Sequence, residues 1–365
     1  MTLRLDPIEL AIQEIAAGRP VVVVDDEDRE NEGDLIMAAE LATPEHVAFI
    51  IRHTSGILCT PLEKDEANRL ALSPMVAEND APLTTAFTVS VDYRHGLTTG
   101  ISAEERCNTI RALANPNAGR SDFVRPGHIF PLVARDGGVL IRTGHTEAGV
   151  DLCKLAGLRP VGLLAELVND DGTVKKGREV EDFAQEHRLA LVSIDDLIAY
   201  RQQRERLIDR VDEQRIDTLV GPAHAITYSS AYDDAQHIAL VIGDPLSRHD
   251  PLVRLHLEDV TQDVFGGPEQ TLWTAMRRIA KHGDGVFVYL RQGAAGVARE
   301  QEPEAPFGEG LTSDRFRREN WRDVGLGAQI VRDLGLEQIR VLSTRERQYV
   351  GLSGFGIEIV GTELL

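Results

Sequence analysis

VVVVDDEDRENEGDLI, Val21 to Ile36, sets four β-branched apolar residues in front of seven acids that fall within ten positions. The valines predict a buried strand, so Asp25, Asp26, Glu27, Asp28, Glu30, Glu32 and Asp34 gather where that strand stops. Carboxylates packed this closely repel one another and must either spread into water or share a cation. Hard oxygen donors suit Mg²⁺ or Mn²⁺. A solvated acidic turn is the plainer reading. Against it stand Arg29, Asn31 and Gly33, which supply a fork donor, an amide and a backbone hinge that a solubilising run does not need.

Around this stretch, 365 residues leave room for two domains, each with its own core. A net charge of −20 argues against nucleic acid or an anionic membrane as partner, because those are gripped by Lys and Arg. A small anionic substrate remains compatible if local basic groups or a metal reverse the field. No apolar run reaches the roughly 18 residues that a membrane span needs. In MTLRLDPIELAIQEIAAG the acids Asp6, Glu9 and Glu14 break any signal-peptide core. That segment predicts an amphipathic helix with Asp6 as N-cap, Pro7 in the first turn, Glu9 completing a capping box and Gly18 as terminator. The three cysteines, Cys59, Cys107 and Cys153, are odd in number and widely spaced, which fits a reducing compartment, the cytoplasm. None follows Cys153.

Further along, 43–53 predicts a helix started by Thr43-Pro44, 56–60 a short strand and 63–72 a helix. Residues 73–84 have turn composition and suggest a loop able to close over a site. Residues 87–93 alternate like a strand, and 102–114 form a helix capped by Ser102 with Glu105 at the box position. GGVLIRTGHTEAGVDLCKLAG predicts strand, tight turn and helix. Tyr200 to Ile216, highly charged, predicts an exposed helix joining two domains. A second alternation follows, through AITYSSA, HIALVIGD, WTAMRRIAKHGDGVFVYLR, IRVLS and IEIVG, with a mobile stretch expected over 301–310.

The second chemical motif is RTGHTEAG, Arg142 to Gly149. A glycine-hinged turn entering a helix offers free N–H groups and a positive dipole end to an anion, Thr146 adds a hydroxyl and Arg142 a bidentate fork. The expected ligand is a phosphate. His145 inside the turn is a candidate nitrogen ligand for a cation held by the acidic turn, against the plainer role of a satisfied histidine. Single residues carry less: His128 follows a Pro-Gly turn in RPGHIFPL, Glu166 ends the apolar run of LLAELVNDDG, and Cys59 reads best as a small core residue. Together the motifs describe a metal-dependent enzyme acting on a phosphorylated small molecule.

DDEDRENEGDLI, TTGISAEER, RPGHIFPL, GGVLIRTGHTEA and LLAELVNDDGT, in this order and spacing, resemble 3,4-dihydroxy-2-butanone 4-phosphate synthase of riboflavin biosynthesis over residues 1 to about 200. The resemblance implies conversion of D-ribulose 5-phosphate to L-3,4-dihydroxy-2-butanone 4-phosphate and formate, through a metal-stabilised enediol and a carbon-skeleton rearrangement, in a homodimer with Mg²⁺ or Mn²⁺, two ions per site. It implies that Glu30 binds both ions and His145 one of them. Arg29 and Asp34 would hold sugar hydroxyls, and Arg142, Thr143, Gly144, His145 and Thr146 the phosphate and its end of the substrate, with Glu30 also in contact. His128 and Glu166 match essential acid/base positions, and Glu32 joins them as a catalytic carboxylate.

The second half resembles GTP cyclohydrolase II in degraded form, through LVRLHLEDVTQDVFG, RDVGLGAQIVRDLGLEQIRVLS and GLSGFGIEIVG. That family binds zinc through three cysteines. Here Asp259 stands at the first of those positions, and the short GGPEQ, 266–270, lacks the piece that carries the other two. The GTP-gripping loop is reduced to QGAAGVA, 292–298. Arg322 matches the family's arginine nucleophile, but Asn320 replaces its aspartate partner and Val324 a tyrosine. Without zinc no water is activated. The expectation is therefore an α+β synthase domain over 1–204, with a mixed sheet layered by helices, and a smaller α/β domain over 205–365 that lacks GTP cyclohydrolase II activity. The rival readings are a bifunctional enzyme that also opens GTP, and a non-catalytic module for stability, dimer contacts or nucleotide sensing.

Overall fold

The computed structural model describes residues 3–25, 29–230, 235–267, 270–291, 325–344 and 356–365. It divides into two compact units, Met1–Tyr200 and Arg201–Leu365. In the first, α1 (Ile8–Ala16), β1 (Val21–Val24), β2 (Gly33–Ala38), α2 (Pro44–His53), β3 (Cys59–Leu62), α3 (Lys64–Arg69) and β4 (Val91–Tyr93) come first. Then follow α4 (Ala103–Leu113), β5 (Phe123–Val133), α5 (His145–Leu155), β6 (Gly162–Glu166), α6 (Arg178–His187), β7 (Leu191–Ser193) and α7 (Ile194–Arg204), within which the boundary between the units falls.

The seven strands form one mixed sheet in the order β4-β5-β3-β6-β2-β1-β7. β2 runs antiparallel to both β1 and β6, while β1 pairs parallel with β7 and β3 parallel with β5. Every residue of β1 and β2 is buried, so both faces of the sheet are covered at its centre. α5 packs on β2, β3 and β6, and Val180 of α6 lies so close to Gly33 that a Cβ there would meet its methyl at 2.7 Å. The acidic turn leaves the end of β1 and re-enters as β2, so the register Val23↔Asp34 and Asp34↔Glu166 sets Asp34 and Glu166 side by side at one end of the sheet.

Several expectations need correcting. Asp6 does not cap α1. Pro7 is the N-cap, and the Asp6 carboxylate accepts from the Leu191 N–H at 3.0 Å, tying the N-terminus to β7 instead. GGVLI is not a strand: Gly137 and Gly138 have φ of +91° and +64°, and Gly138–Leu140 turns as a short 3₁₀ helix. A Cβ on Gly138 would sit 2.2 Å from the Asp151 carboxylate, which accepts the Val139 N–H, so the glycine is required there. His128 lies within β5, which runs through Pro126-Gly127 rather than turning at it. The strand expected over 56–60 lies at Cys59–Leu62, and only Val91–Tyr93 of 87–93 is a regular strand.

In the second unit come β8 (Ile208–Thr218), β9 (Gly221–Ser230), β10 (Gln236–Ile242), β11 (Leu252–Leu257), α8 (Val260–Phe265), α9 (Thr271–His282), β12 (Gly285–Leu290), β13 (Gln338–Ser343) and β14 (Glu358–Leu364). They form a second mixed sheet in the order β14-β13-β11-β12-β10-β9-β8, with α9 on β11 and β12 over a core that includes Leu252, Met276, Ile279 and Phe287. The helix expected to run from Tyr200 to Ile216 stops at Arg204. Beyond it the charged run is β8, an edge strand that pairs with β9 and exposes seven consecutive residues, where charge suits an edge as well as it suits a solvated helix. No helix among the described residues is long and apolar enough to cross a membrane. Asp26, Glu27, Asp28, part of 266–270, the segments 292–298 and 301–310, Asn320, Arg322, Val324 and residues 351–355 lie outside the described residues.

Candidate active site

The acidic turn is organised by Asp25. Its carboxylate accepts the backbone N–H of Glu30 and of Glu32, each at 3.0 Å, and Arg29 Nη1 at 2.8 Å. This fixes Glu30 and Glu32 against the end of β1. Arg29 itself is buried between Asp25 and Glu30, so its guanidinium serves the turn rather than standing free for a substrate.

His145 opens α5, with Gly144 as N-cap. A Cβ on Gly144 would fall 2.3 Å from the Arg142 guanidinium, so a larger residue there would require the end of that side chain to shift. The His145 ring is buried, and its Nε2–H donates to the Val23 carbonyl at 3.1 Å, which leaves Nδ1 to face the acids. Nδ1 lies 3.7 Å from Glu30 Oε2 and 4.0 Å from Asp34 Oδ2. These separations are too long for hydrogen bonds and suit groups arranged about a shared ion. Two sets, Asp25 with Glu30 and His145, and Glu32 with Asp34 and His145, each place one donor atom per residue within 4.8 Å of the others.

Burial opposes ionisation of Glu30, but the His145 ring and Arg29 guanidinium outweigh it and hold its carboxyl down at about 2. Glu32 is pushed up to about 7, by burial first and then by the charge of Glu30. Asp34 is pushed well above the usual carboxylate range by complete burial, with His145 opposing and Glu166 and Glu32 adding repulsion. Burial works against charge on His145, yet Asp34 and Glu30 raise its ring to about 9. Asp34 Oδ1 is also buried and has no hydrogen-bond partner among the described residues. Burial and mutual repulsion thus disfavour charge on Glu32 and Asp34, a cost that a cation among these donors would relieve. The residues fit a hard divalent cation.

The anion turn differs in detail from its expected form. Arg142 Nη1 donates to Glu147 at 2.7 Å, and Nη2 to Thr85 Oγ1 at 3.0 Å and the Leu83 carbonyl at 3.2 Å. The fork thus braces the segment that enters from the 73–84 loop. Thr146 is buried at the first turn of α5, whose N-cap has no side-chain hydrogen bond. Glu166 ends β6 opposite Asp34. His128 stands apart on β5, where its N–H and Nδ1 meet the two oxygens of Asp92 at 2.8 and 2.7 Å; among the described residues no hydrogen bond or ion pair joins it to the acidic cluster. Asp92 and Glu147 were not singled out by sequence reasoning, and Asp25 was named only as one of the seven acids of the turn. An acid whose partners are backbone N–H groups or a distant strand leaves no local pattern, although Asp25, first after the strand, was placed to fold back on the turn.

A family model described as 3,4-dihydroxy-2-butanone 4-phosphate synthase matches residues 9–200. The chain belongs to this family. A second model, GTP cyclohydrolase II, matches residues 209–363, so the synthase domain is fused to a domain of that kind. The riboflavin biosynthesis protein RibBA of Salinispora arenicola is 48% identical over 97% of this chain and 87% of its own. The bifunctional riboflavin biosynthesis protein RIBA 1, chloroplastic, of Arabidopsis thaliana is 47% identical over 96% of this chain and 67% of its own. Among solved structures, RibBX, a two-domain 3,4-dihydroxy-2-butanone 4-phosphate synthase from A. baumannii, aligns with a TM-score of 0.79 at 36% identity, covering 98% of this chain and 99% of its own. A 3,4-dihydroxy-2-butanone 4-phosphate synthase in complex with two magnesium ions aligns with a TM-score of 0.54 at 46% identity, covering 55% of this chain and 98% of its own. The synthase converts D-ribulose 5-phosphate to L-3,4-dihydroxy-2-butanone 4-phosphate and formate in riboflavin biosynthesis, and its domain here contains the acidic turn, the anion turn and His145.

Proposed function

We propose that the acidic turn and the N-terminus of α5 form the synthase active site, and that the second unit makes no zinc site and opens no GTP. The observation that carries the first part is the set of buried donors converging on His145 Nδ1. Glu30 and His145 would hold a divalent cation, Mg²⁺ or Mn²⁺, with room for two ions if Glu32, Asp34 or Asp25 joins; the synthase solved with two magnesium ions supports this. Bound there, the cation would supply positive charge to oxygens of the sugar phosphate as they become anionic. The α5 N-terminus, with Thr143, Gly144 and Thr146, receives the phosphate end. Asp34 and Arg29 border the position of the sugar hydroxyls. Glu32, Glu166 and His128 exchange protons with the substrate; the Asp92 carboxylate at His128 Nδ1 fixes that ring so that Nε2 is its free nitrogen. Ile57, Met75, Val76 and Ile101 are exposed on the first unit, surface of a kind that a second copy covers in a homodimer. The three free, buried cysteines suit the cytoplasm.

Arg142→Ala tests the anion turn. The expected result is a rise in KM for ribulose 5-phosphate of about tenfold or more with a smaller change in kcat. An unchanged KM would assign Arg142 to bracing Leu83 and Thr85 instead.

For the second unit, what supports the reading is the donor set. No cysteine follows Cys153, and Asp259, at the position of a zinc cysteine in the resemblance, is spent as the N-cap of α8, accepting the Gln262 N–H at 3.2 Å and the Thr261 hydroxyl at 2.7 Å. His256 Nε2 is engaged with Asp263 at 2.9 Å. The purified chain supplied with GTP, Mg²⁺ and Zn²⁺ is expected to release no formate, form no pyrimidine product and retain no tightly bound zinc. One zinc per chain, with GTP turnover lost on chelation, would restore the bifunctional reading suggested by the name of the Arabidopsis relative.

A further inference from the structure

Glu166 has a dedicated partner in the turn Thr54-Ser55-Gly56, which joins α2 to β3. Main-chain ties fasten the turn to the exit of β6: the Ser55 N–H donates to the Glu166 carbonyl at 2.8 Å, Thr54 bridges Leu167 in antiparallel fashion, and the Val168 N–H donates to the His53 carbonyl at 3.2 Å. Within the turn, the Thr54 hydroxyl donates to the Ile50 carbonyl at 2.7 Å and accepts the Gly56 N–H at 3.3 Å, while Gly56 has φ +76°. None of these ties uses the hydroxyl at position 55, whose one part in the turn is to accept the Ile57 N–H.

The Ser55 side chain nevertheless has a defined direction. Its Oγ accepts the Ile57 N–H at 3.2 Å, which leaves its own hydrogen for Glu166 Oε2, 2.6 Å away. A hydroxyl on a carboxylate at that distance is a charge-assisted bond. It engages one oxygen of Glu166 and leaves Oε1 as the atom able to take or give a proton. Glutamate has three side-chain torsions, and at a half-exposed strand end such a side chain samples several rotamers unless anchored. We propose that Ser55 is a positioning residue, which holds the Glu166 carboxylate in the one orientation used for proton exchange. The inference rests on the acid/base role proposed for Glu166.

The experiment compares Ser55→Ala, Ser55→Thr, Glu166→Gln and the double variant Ser55→Ala/Glu166→Gln in the full chain, with formate release from ribulose 5-phosphate and Mg²⁺ as readout. Ser55→Ala is expected to lower kcat by about ten- to a hundredfold, the scale on which small misplacements of a reacting group act, with KM within about twofold and an unchanged melting temperature. Ser55→Thr, which keeps the hydroxyl, should restore most of that loss. In the Glu166→Gln background, Ser55→Ala should add nothing further, because its effect runs through Glu166. A wild-type kcat in Ser55→Ala, or an undiminished further loss in the double variant, would overturn the proposal. Wild-type turnover by Glu166→Gln would instead overturn the role of Glu166 itself.

Discussion

Glu30→Ala and His145→Ala are each expected to lower cation-dependent turnover by at least about a hundredfold, since outer-shell changes alone cost 10- to 100-fold in metal sites and these remove donors. The fold should survive both. Glu30 is held in place by its backbone N–H on Asp25, which alanine keeps. His145 is buried, so its truncation leaves a polar gap, but α5 remains anchored on β2, β3 and β6. The two variants should also weaken cation binding measured directly, without substrate, which separates loss of a ligand from loss of an acid or base. Turnover within about tenfold of wild type in either variant would sink the assignment of the cation site.

Gly127→Ala is expected to destabilise the first unit on the order of 3 kcal/mol, the upper part of the range for overpacking. A Cβ there would sit 2.0 Å from the Val91 carbonyl carbon and 2.3 Å from the Asp92 nitrogen, backbone atoms that cannot rotate away. The strands β4 and β5 would have to part at the bulge where their register shifts between Val91 and Asp92. That movement would also pull the Asp92 carboxylate from His128, so activity should fall with stability. For a unit of this size the melting temperature should drop by roughly 6 to 12 °C. A change under about 2 °C would show that the two strands are looser than their geometry implies.

Much of this architecture was legible in the sequence wherever a local rule governs. The four valines gave β1 because an apolar β-branched run has few alternatives, and Thr43 and Ser102 marked the starts of α2 and α4, accepting the His46 and Glu105 N–H groups as N-caps do. The rule failed where tertiary contact decides. Asp6 has the form of an N-cap, but β7 offers its carboxylate a backbone N–H. GGVLI has the form of a strand, but paired glycines at positive φ fold it over Asp151. The charged run after Tyr200 fits a helix and an edge strand equally, and pairing with β9 chooses the strand from Ile208 onward. At the site, motif chemistry brought the acidic turn together with His145, and the family resemblance picked out Glu30, Glu32 and Asp34 within it. The tie between Arg142 and Glu147, and the service of Ser55 to Glu166, did not, since each depends on which side chains the sheet brings together.

We propose that the synthase reaction requires a divalent cation at Glu30 and His145. Formate release from ribulose 5-phosphate by the purified chain tests it most directly, measured with Mg²⁺, after EDTA, and after Mg²⁺ is added back in excess. Turnover with Mg²⁺, its loss on chelation and its recovery on re-addition are the predicted results. Undiminished turnover in EDTA would show that the reaction needs no such cation.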